Sequence, residues 1–411
     1  MNYLVKSTNK NINLDINLTS SKSESNRLLI IKALSNDKVK INNLSDSEDT
    51  KTLINLLDSI KDSNIKILDA GPAGTTFRFL VSYLSIQNGI TKTLTGSERM
   101  KERPIKYLVN ALKELGADIN YLEKEGYPPL EITGKNIEEN EISISGSISS
   151  QYISSLMLIA PILKNGLKIN IKDKISSKPY IDMTLKILNY FGINAYWQNK
   201  SIIIDKGVYE PKTYTIEGDW SSASYLYEIL SFSDSGEINI KGLRKDSLQG
   251  DSVISEIMKS FGIETIFNNN SINIKKSYTH LDYFEYDFSN CPDIAQTIAV
   301  ICAGLGVNAK LSGLESLKVK ETNRVQALVN ELTKLGIDIY ESSSNVLEIK
   351  SGKVKSDIFI NTYKDHRMAM AFAPLSIISK SIIIEDPSVV SKSYPNFWND
   401  LSSVLNFIEQ N

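Results

Sequence analysis

A step of 72 residues runs through this chain. Ser149, Ser221, Asp293 and Asp365 are separated by it, and each opens a stretch in which small polar residues give way to apolar ones. The segments SKSESNRLL at Lys22 and AGTTFRFL at Gly74 have the same form. A second series lies between these openings. LVNALKELGADI, TLKILNYFGINA, ISEIMKSFGIET and LVNELTKLGIDI place Gly116, Gly192, Gly262 and Gly336 directly after Leu or Phe, at spacings of 76, 70 and 74 residues. Glycine in that position stops a helix by taking the left-handed conformation. The alternating pairs that follow, such as Ile202 with Ile204 and Ile272 with Ile274, predict short hairpins. Degenerate copies are TLINLLDSI near Thr52 and FWNDLSSVLNFI at the end. Such self-similarity excludes a single irregular core. It predicts six α/β units of strand–helix–strand–helix–strand–strand. With 411 residues, two domains of three units each are expected. Residues 19–216 would form one domain, inserted in the chain, and 1–18 with 217–411 the other.

The helix openings carry the chemistry. In KVKETNRVQAL, Lys318, Lys320, Glu321 and Arg324 crowd the start of a helix that Thr322 or Asn323 can cap, with Arg324 about one turn in. A helix N-terminus already favours anions through its unpaired N–H groups and dipole. Added Lys and Arg make it a candidate phosphate or carboxylate site, and a carboxyl among them a candidate proton carrier. SSKSESNR sets Lys22 just outside a helix, Ser23 at its cap and Arg27 one turn in. Gly74 opens a Gly-containing turn that matches neither a P-loop nor a dinucleotide fingerprint. GSERMKERP offers Arg99, Lys101 and Arg103, which taken alone is a charged loop. Ser149, Ser150 and Gln151, then Ser177, Lys178 and Tyr180, suit hydroxyl or phosphate contacts. Asp293 and Asp365 read as N-caps. Arg367, in a first turn where it opposes the dipole, calls for an anion. Lys392 precedes the last helical segment. Cations at several helix starts with two carboxyl candidates, Asp293 and Glu321, describe a site for two multiply charged anions with acid–base chemistry between them. Threefold packing of the helix starts would let both domains face one cleft.

Other classes fit less well. Lys plus Arg total 46 against 48 Asp plus Glu, without the basic excess of a general nucleic-acid binder. No apolar run is long enough to span a membrane, and the N-terminal stretch has neither a signal-peptide core nor an Arg-rich transit pattern. Cys291 and Cys302 with His280 and His366 give no zinc-ligand spacing, so no metal and no cofactor are expected. Cys291 is expected to be a spectator and His280 a surface residue. A reducing, cytoplasmic setting and a monomer are expected.

In order along the chain, SKSESNR, AGTTFR, RMKERPI, SSQY, SKPYID, the Pro-Asp before a helix, KVKETNR, DHRMAM and SKSYP resemble the motif series of the 5-enolpyruvylshikimate-3-phosphate synthase family. The resemblance implies the enolpyruvyl transferase fold, in which each of two domains is an inside-out α/β barrel of three βαβαββ repeats. It also implies a shikimate-pathway transferase of aromatic amino-acid biosynthesis. That enzyme moves the enolpyruvyl group of phosphoenolpyruvate to the 5-hydroxyl of shikimate 3-phosphate and releases phosphate. By motif position Ser23, Arg27, Ser149, Ser150, Gln151, Ser177, Tyr180 and Lys320 would hold shikimate 3-phosphate. Lys22, Gly74, Arg103, Arg324, Arg367 and Lys392 would hold phosphoenolpyruvate. Asp293 would take the hydroxyl proton and contact the substrate, Glu321 would move protons at the methylene carbon, and Lys22 would assist the departing phosphate. Cations near Glu321 would keep it ionised until bound anions offset them.

Four positions depart from the family pattern: Thr19-Ser20 for Pro-Gly, Pro72 for Asn, Phe79 for Pro and Ser316 for Asn. The related transferase that acts on a UDP-amino sugar shares the repeat but carries a loop cysteine, absent between Arg99 and Pro104. A non-catalytic anion-binding protein on the same repeat would not need both Asp293 and Glu321.

Overall fold

The computed structural model describes residues 1–7 and 9–410. Two compact units result, one of residues 1–20 and 217–411, the other of residues 21–216. The chain thus leaves the first unit at Ser20, builds the second, and re-enters at Glu217. Ser20 is bridged to Gly218, and Thr19 O accepts from Asp219 N, so the exit and return strands lie side by side.

In the 21–216 unit, two sheets share one order. Ile67–Asp69, Thr91–Thr95, Leu130–Thr133 and Asp118–Tyr121 lie side by side in that sequence, and Glu141–Ser145, Leu167–Lys172, Ser201–Ile204 and Ala195–Gln198 repeat it. The first two strands of each are parallel, joined through a helix, and the last two form an antiparallel hairpin. A third sheet is reduced to Lys40–Asn42 and Thr213–Thr215, paired in parallel across most of the unit's length. The helix Glu48–Ile60 confirms the copy near Thr52, but no hairpin follows it. The chain passes straight to Ile67–Asp69.

The other unit has three four-stranded sheets, and two borrow from the N-terminus. Asn11–Asn17 pairs in parallel with Ser235–Lys241, although the whole second unit lies between them in sequence. Asn2–Ser7 lies between Ile382–Glu385 and Leu405–Gln410, antiparallel to both. The chain's last strand therefore finds its hairpin partner in the chain's first. The third sheet, Tyr283–Asp287, Asn308–Ser312, Val346–Lys350 and Asp338–Ser343, is built from contiguous sequence.

The helices sort by their burial. Trp220–Phe232 is buried at every position, and Gly74–Ser85, Ser150–Ile159, Ala295–Leu305 and His366–Phe372 nearly so. Helices apolar on all sides belong in an interior. Small hydroxyls on these helices find each other: Ser82 Oγ donates to Ser155 Oγ at 2.9 Å, and Ser224 Oγ meets Thr297 Oγ1 at 3.0 Å. The second helix of each repeat is amphipathic and covers a sheet. Lys106–Glu114, for example, buries Leu108, Val109, Ala111 and Leu112. Helices inside and sheets outside make each unit an inside-out α/β barrel.

Gly116, Gly192, Gly262 and Gly336 all take positive φ, between 72° and 99°, and a hairpin follows each. One predicted helix is not continuous. ISEIMKSF splits into an α-turn, Ile254–Ile257, and a 3-10 turn, Met258–Phe261. Ser252 and Ser255 donate to the carbonyls of Gln249 and Ser252, three residues back, and Val253, Ile254 and Ile257 are β-branched, so the sequence competes with its own helix.

Candidate active site

In the 21–216 unit, three buried helices start close together. Ser21, not Ser23, caps the helix Lys22–Leu34, accepting from Glu24 N at 3.4 Å. Lys22 is therefore the first helical residue, and its Nζ donates to Asp49 Oδ2 at 2.9 Å. Arg27 is almost fully enclosed. Its guanidinium donates to Thr184 Oγ1 (2.8 Å), Ser23 O (2.8 Å), Ser154 Oγ (3.0 Å) and Tyr180 O (3.1 Å). These partners are all neutral, so burial pulls the Arg27 pKa down to about 10, against the opposing influence of Tyr180 and Glu24. Phe79, where the family pattern has proline, lays its ring 5.5 Å from the Arg27 guanidinium carbon.

The second helix start, at Gly74, has no capping side chain, which leaves its first N–H groups for a ligand. A Cβ on Gly74 would lie 2.6 Å from Arg103 Nη1 and 2.7 Å from Arg78 Nη1, so the glycine makes room for two guanidiniums. Arg78 donates to Gln151 Oε1 at 2.8 Å and sits 5.4 Å from the Tyr152 ring centre, while Gln151 Nε2 donates to Thr75 Oγ1. Ser149 caps the third start, and Ser150 is its first residue. Ser177 precedes the helix Lys178–Tyr190 with φ 57°, an uncommon conformation for serine that costs of order 1–3 kcal/mol and concentrates at functional sites. The remaining cations of this unit's motifs separate cleanly. Arg99 pairs with Glu102, Lys101 with Glu98 and Glu123, and Lys178 with Asp182, all on the surface. Of that loop's cations only Arg103 is buried.

The other unit gathers its charges around Arg324. Asn323 caps the helix Arg324–Lys334, so Arg324 is its first residue and not a turn in. Its side chain folds back over the cap. Nε donates to Asp365 Oδ2 at 2.7 Å, Nη2 to Glu321 Oε2 at 2.9 Å, and Nη1 to Asp293 Oδ1 at 3.2 Å. Burial opposes the charge, but Asp365 and Glu321 outweigh it and hold Arg324 above its ordinary pKa. Lys392 Nζ reaches Glu321 Oε1 at 3.0 Å, Lys320 Nζ reaches Asp293 Oδ1 at 3.4 Å, and Arg367 Nη2 reaches Asp293 Oδ2 at 3.2 Å. Burial lowers the Lys320 pKa despite Asp293. Asp293 lies in a 3-10 turn, Pro292–Ile294, and caps nothing there. It pairs with the cations Lys320, Arg324 and Arg367.

Asp365 does two jobs. It caps His366–Phe372 through Arg367 N at 2.9 Å and clamps Arg324. The approach to it is strained: Tyr363 and Lys364 both have positive φ. Buried Glu331 holds that loop, accepting from Tyr363 Oη at 2.6 Å and Asn361 N at 3.1 Å. Ser316 Oγ, where the family has asparagine, is buried with no hydrogen-bond partner. Cys291 is buried, which pushes its thiol pKa up, and His280 is exposed beside Asp282. The clamp by Asp365 and the pairing of Asp49 with Lys22 were not legible. Asp365 sits where a cap is the ordinary reading, and the partners of the two acids are 41 and 27 residues away.

The EPSP synthase (3-phosphoshikimate 1-carboxyvinyltransferase) family profile matches residues 6–401. A 3-phosphoshikimate 1-carboxyvinyltransferase of Bacteroides fragilis (strain YCH46) is 45% identical over 404 residues, covering 98% of this chain and 97% of its own. The enzyme of the same name from Sulfurovum sp. (strain NBC37-1) is 34% identical, covering 99% and 100%. The solved EPSP synthase of Acinetobacter baumannii superposes with a TM-score of 0.79 at 18% identity, over 99% of this chain and all of that one, and so shares the fold. With the motif series, the three-repeat units and these likenesses in agreement, the chain belongs to the EPSP synthase family.

Proposed function

We propose that this chain transfers the enolpyruvyl group of phosphoenolpyruvate to the 5-hydroxyl of shikimate 3-phosphate, releasing phosphate. The observation that carries the reading is the pair of carboxylates, Asp293 and Glu321, on one buried guanidinium, Arg324, with Lys392 and Arg367 on their other oxygens and Lys320 sharing Asp293 Oδ1 with Arg324. Asp293 accepts the 5-hydroxyl proton as that oxygen bonds to C2 of phosphoenolpyruvate. Glu321 delivers a proton to C3, and a tetrahedral adduct results. Glu321 then takes a proton back from the new methyl group, the C2–O bond to phosphate breaks, and Lys22 assists the leaving phosphate. The hydroxyl proton then passes from Asp293 to the released phosphate or to solvent, so atoms and charge balance without a cofactor.

The same reading gives the remaining residues to binding. Ser23, Arg27, Ser149, Ser150, Gln151, Ser177, Tyr180 and Lys320 hold shikimate 3-phosphate, and Gly74, Arg103, Arg324, Arg367 and Lys392 hold phosphoenolpyruvate with Lys22. Arginine suits this because its fork matches carboxylate and phosphate oxygens in pairs. Among the described residues no helix is long and apolar enough to cross a membrane. A monomer working in the cytoplasm, without nucleic acid, completes the reading. A coupled phosphate-release assay with both substrates tests it. Release that depends on both is expected, and release no faster than with either alone would overturn it.

A further inference from the structure

Asp251 belongs to none of the motifs above, yet it is buried beside the charged cluster. It lies in the 3-10 turn Gly250–Val253. Gln249, just before that turn, accepts from Trp220 N at 3.0 Å and donates to Gly218 O at 2.8 Å, which fixes the turn against the start of the helix Trp220–Phe232. From that helix Ser221 Oγ donates to Asp251 Oδ2. Asp251 Oδ1 is buried and meets no donor. An ionised carboxylate with one donor and one bare oxygen, out of water, is costly.

The groups facing it explain which form it takes. The cap of the helix Trp220–Phe232 contributes Asp219 and the helix itself Ser221 and Tyr225. The turn at 291–294 contributes Cys291 and Asp293, and the helix His366–Phe372 contributes Arg367. Arg367 is the single cation among them. It is already engaged by Asp293 at 3.2 Å and by the Tyr225 hydroxyl at 3.3 Å, and its Nε is buried without an acceptor. Two further acids against one shared guanidinium leave no counter-charge for Asp251. Burial first, and then the Asp293 charge, push its carboxyl up to about 7, with Arg367 and Ser221 opposing.

We propose that Asp251 is a positioning residue that keeps its own proton, so that Asp293 can stand ionised on Arg367 and Arg367 keeps positive charge for an anionic ligand. The inference rests on the transferase reading above. When Asp251 ionises, Asp293 and Asp251 both draw on Arg367, and the grip on anionic substrate weakens. The chain then binds phosphoenolpyruvate less well on the alkaline side of neutrality, and the effect is in KM more than in kcat.

Asp251→Asn fixes the neutral form at nearly constant volume and leaves Ser221 an acceptor. For the unaltered protein, KM for phosphoenolpyruvate is expected to rise roughly tenfold between pH 6.5 and 8.5, as for one group titrating within that range. Relative to it, Asp251→Asn should flatten the rise to about twofold, with kcat at pH 6.5 within about threefold. The same rise in both proteins would overturn the proposal. Ser221→Ala removes the one donor to the carboxylate and should move the limb to higher pH. It supplies the test if Asp251→Asn does not fold, and an unmoved limb would then count against the idea. Carbon-13 NMR of carboxyl-labelled aspartate, on the full chain, reads the proton without any turnover. A carboxyl titrating near neutral pH that vanishes in Asp251→Asn is expected, and none titrating there would overturn the proposal. No phosphate release from the unaltered protein would instead sink the transferase reading, while the NMR titration still decided the proton on Asp251.

Discussion

The two charged clusters partner their arginines on opposite principles. In the 21–216 unit Lys22 lies on Asp49, but Arg27 is held by hydroxyls and carbonyls, and Arg78 by an amide and an aromatic face. In the other unit every cation of the cluster lies on a carboxylate. Burial accordingly lowers the Arg27 pKa to about 10, while carboxylates hold Arg324 above its usual value. A cation with neutral partners keeps its full charge for a ligand. Cations that share carboxylates are offset in part, and the cluster can take up or lose protons when an anion arrives. The first arrangement suits binding and the second suits proton transfer.

Substitutions can break that division. The largest expected effect is on the carboxylates. Asp293→Asn and Glu321→Gln should each lower kcat about 10²–10⁴-fold, the usual range for a general acid or base. Turnover within tenfold of the unaltered protein in the phosphate-release assay would erase the contrast. Arg27→Lys comes next. It gives up a fork of four hydrogen bonds for a point charge. At about 1.5–3 kcal/mol for a charged hydrogen bond, KM for shikimate 3-phosphate should rise roughly 10–100-fold with kcat less affected. A loss confined to kcat would move Arg27 into the proton-transfer class.

Gly74→Ala sharpens the contrast further. Its methyl group must displace Arg103 or Arg78, whose nitrogens lie 2.6 and 2.7 Å from the new atom. KM for phosphoenolpyruvate should rise about tenfold, equal to roughly 1.4 kcal/mol, and steady-state kinetics with the second substrate saturating would show it. An unchanged KM would mean that the two guanidiniums do not grip that substrate.

The smallest effect concerns stability and lies away from both clusters. Glu228 sits in the all-buried helix Trp220–Phe232, and neither carboxyl oxygen has a partner. Burial raises its pKa well above the ordinary value. The folded state therefore holds a proton that the unfolded chain releases. This contribution is fully present below the ordinary carboxylate range and is lost as pH rises through the folded-state pKa. Melting should fall by a few degrees from pH 5 to pH 8, since about 1 kcal/mol corresponds to roughly 2–4 °C in a domain of this size. Glu228→Met should flatten that slope. An equal slope in both would show that the carboxyl is not the cause.

What was legible follows from range. The helix-ending glycines at Gly116, Gly192, Gly262 and Gly336 act within four residues, and all four are where the sequence puts them. Ser149 caps its helix for the same reason. The broken helix at Ile254–Phe261 was missed because serine back-bonding is a weak local preference that an apolar period hides. The Lys22 helix starts at a cap on Ser21 and not Ser23, because several capping residues stand in a row, whereas Asn323, one of the two expected caps, does cap its helix and makes Arg324 the first residue, not one a turn in. Partnerships such as Arg324 with Asp365 or Arg27 with Phe79 depend on which strands the repeats set side by side, and no local pattern carries them.

The place of the first two strands has a consequence for how the protein is made. Asn2–Ser7 and Asn11–Asn17 leave the ribosome first but pair with strands that begin at Ile382 and Ser235. The 21–216 unit has all its own strands once Thr215 has emerged. At about 5–20 residues per second, the strand at Asn11 waits roughly 10–40 s for its neighbour, and the one before it longer. During that wait both are unpaired, Ile- and Leu-containing edges open to wrong partners. A chain re-joined to begin at Glu217 would bring Asn2–Ser7 out shortly after both its neighbours, Ile382–Glu385 and Leu405–Gln410.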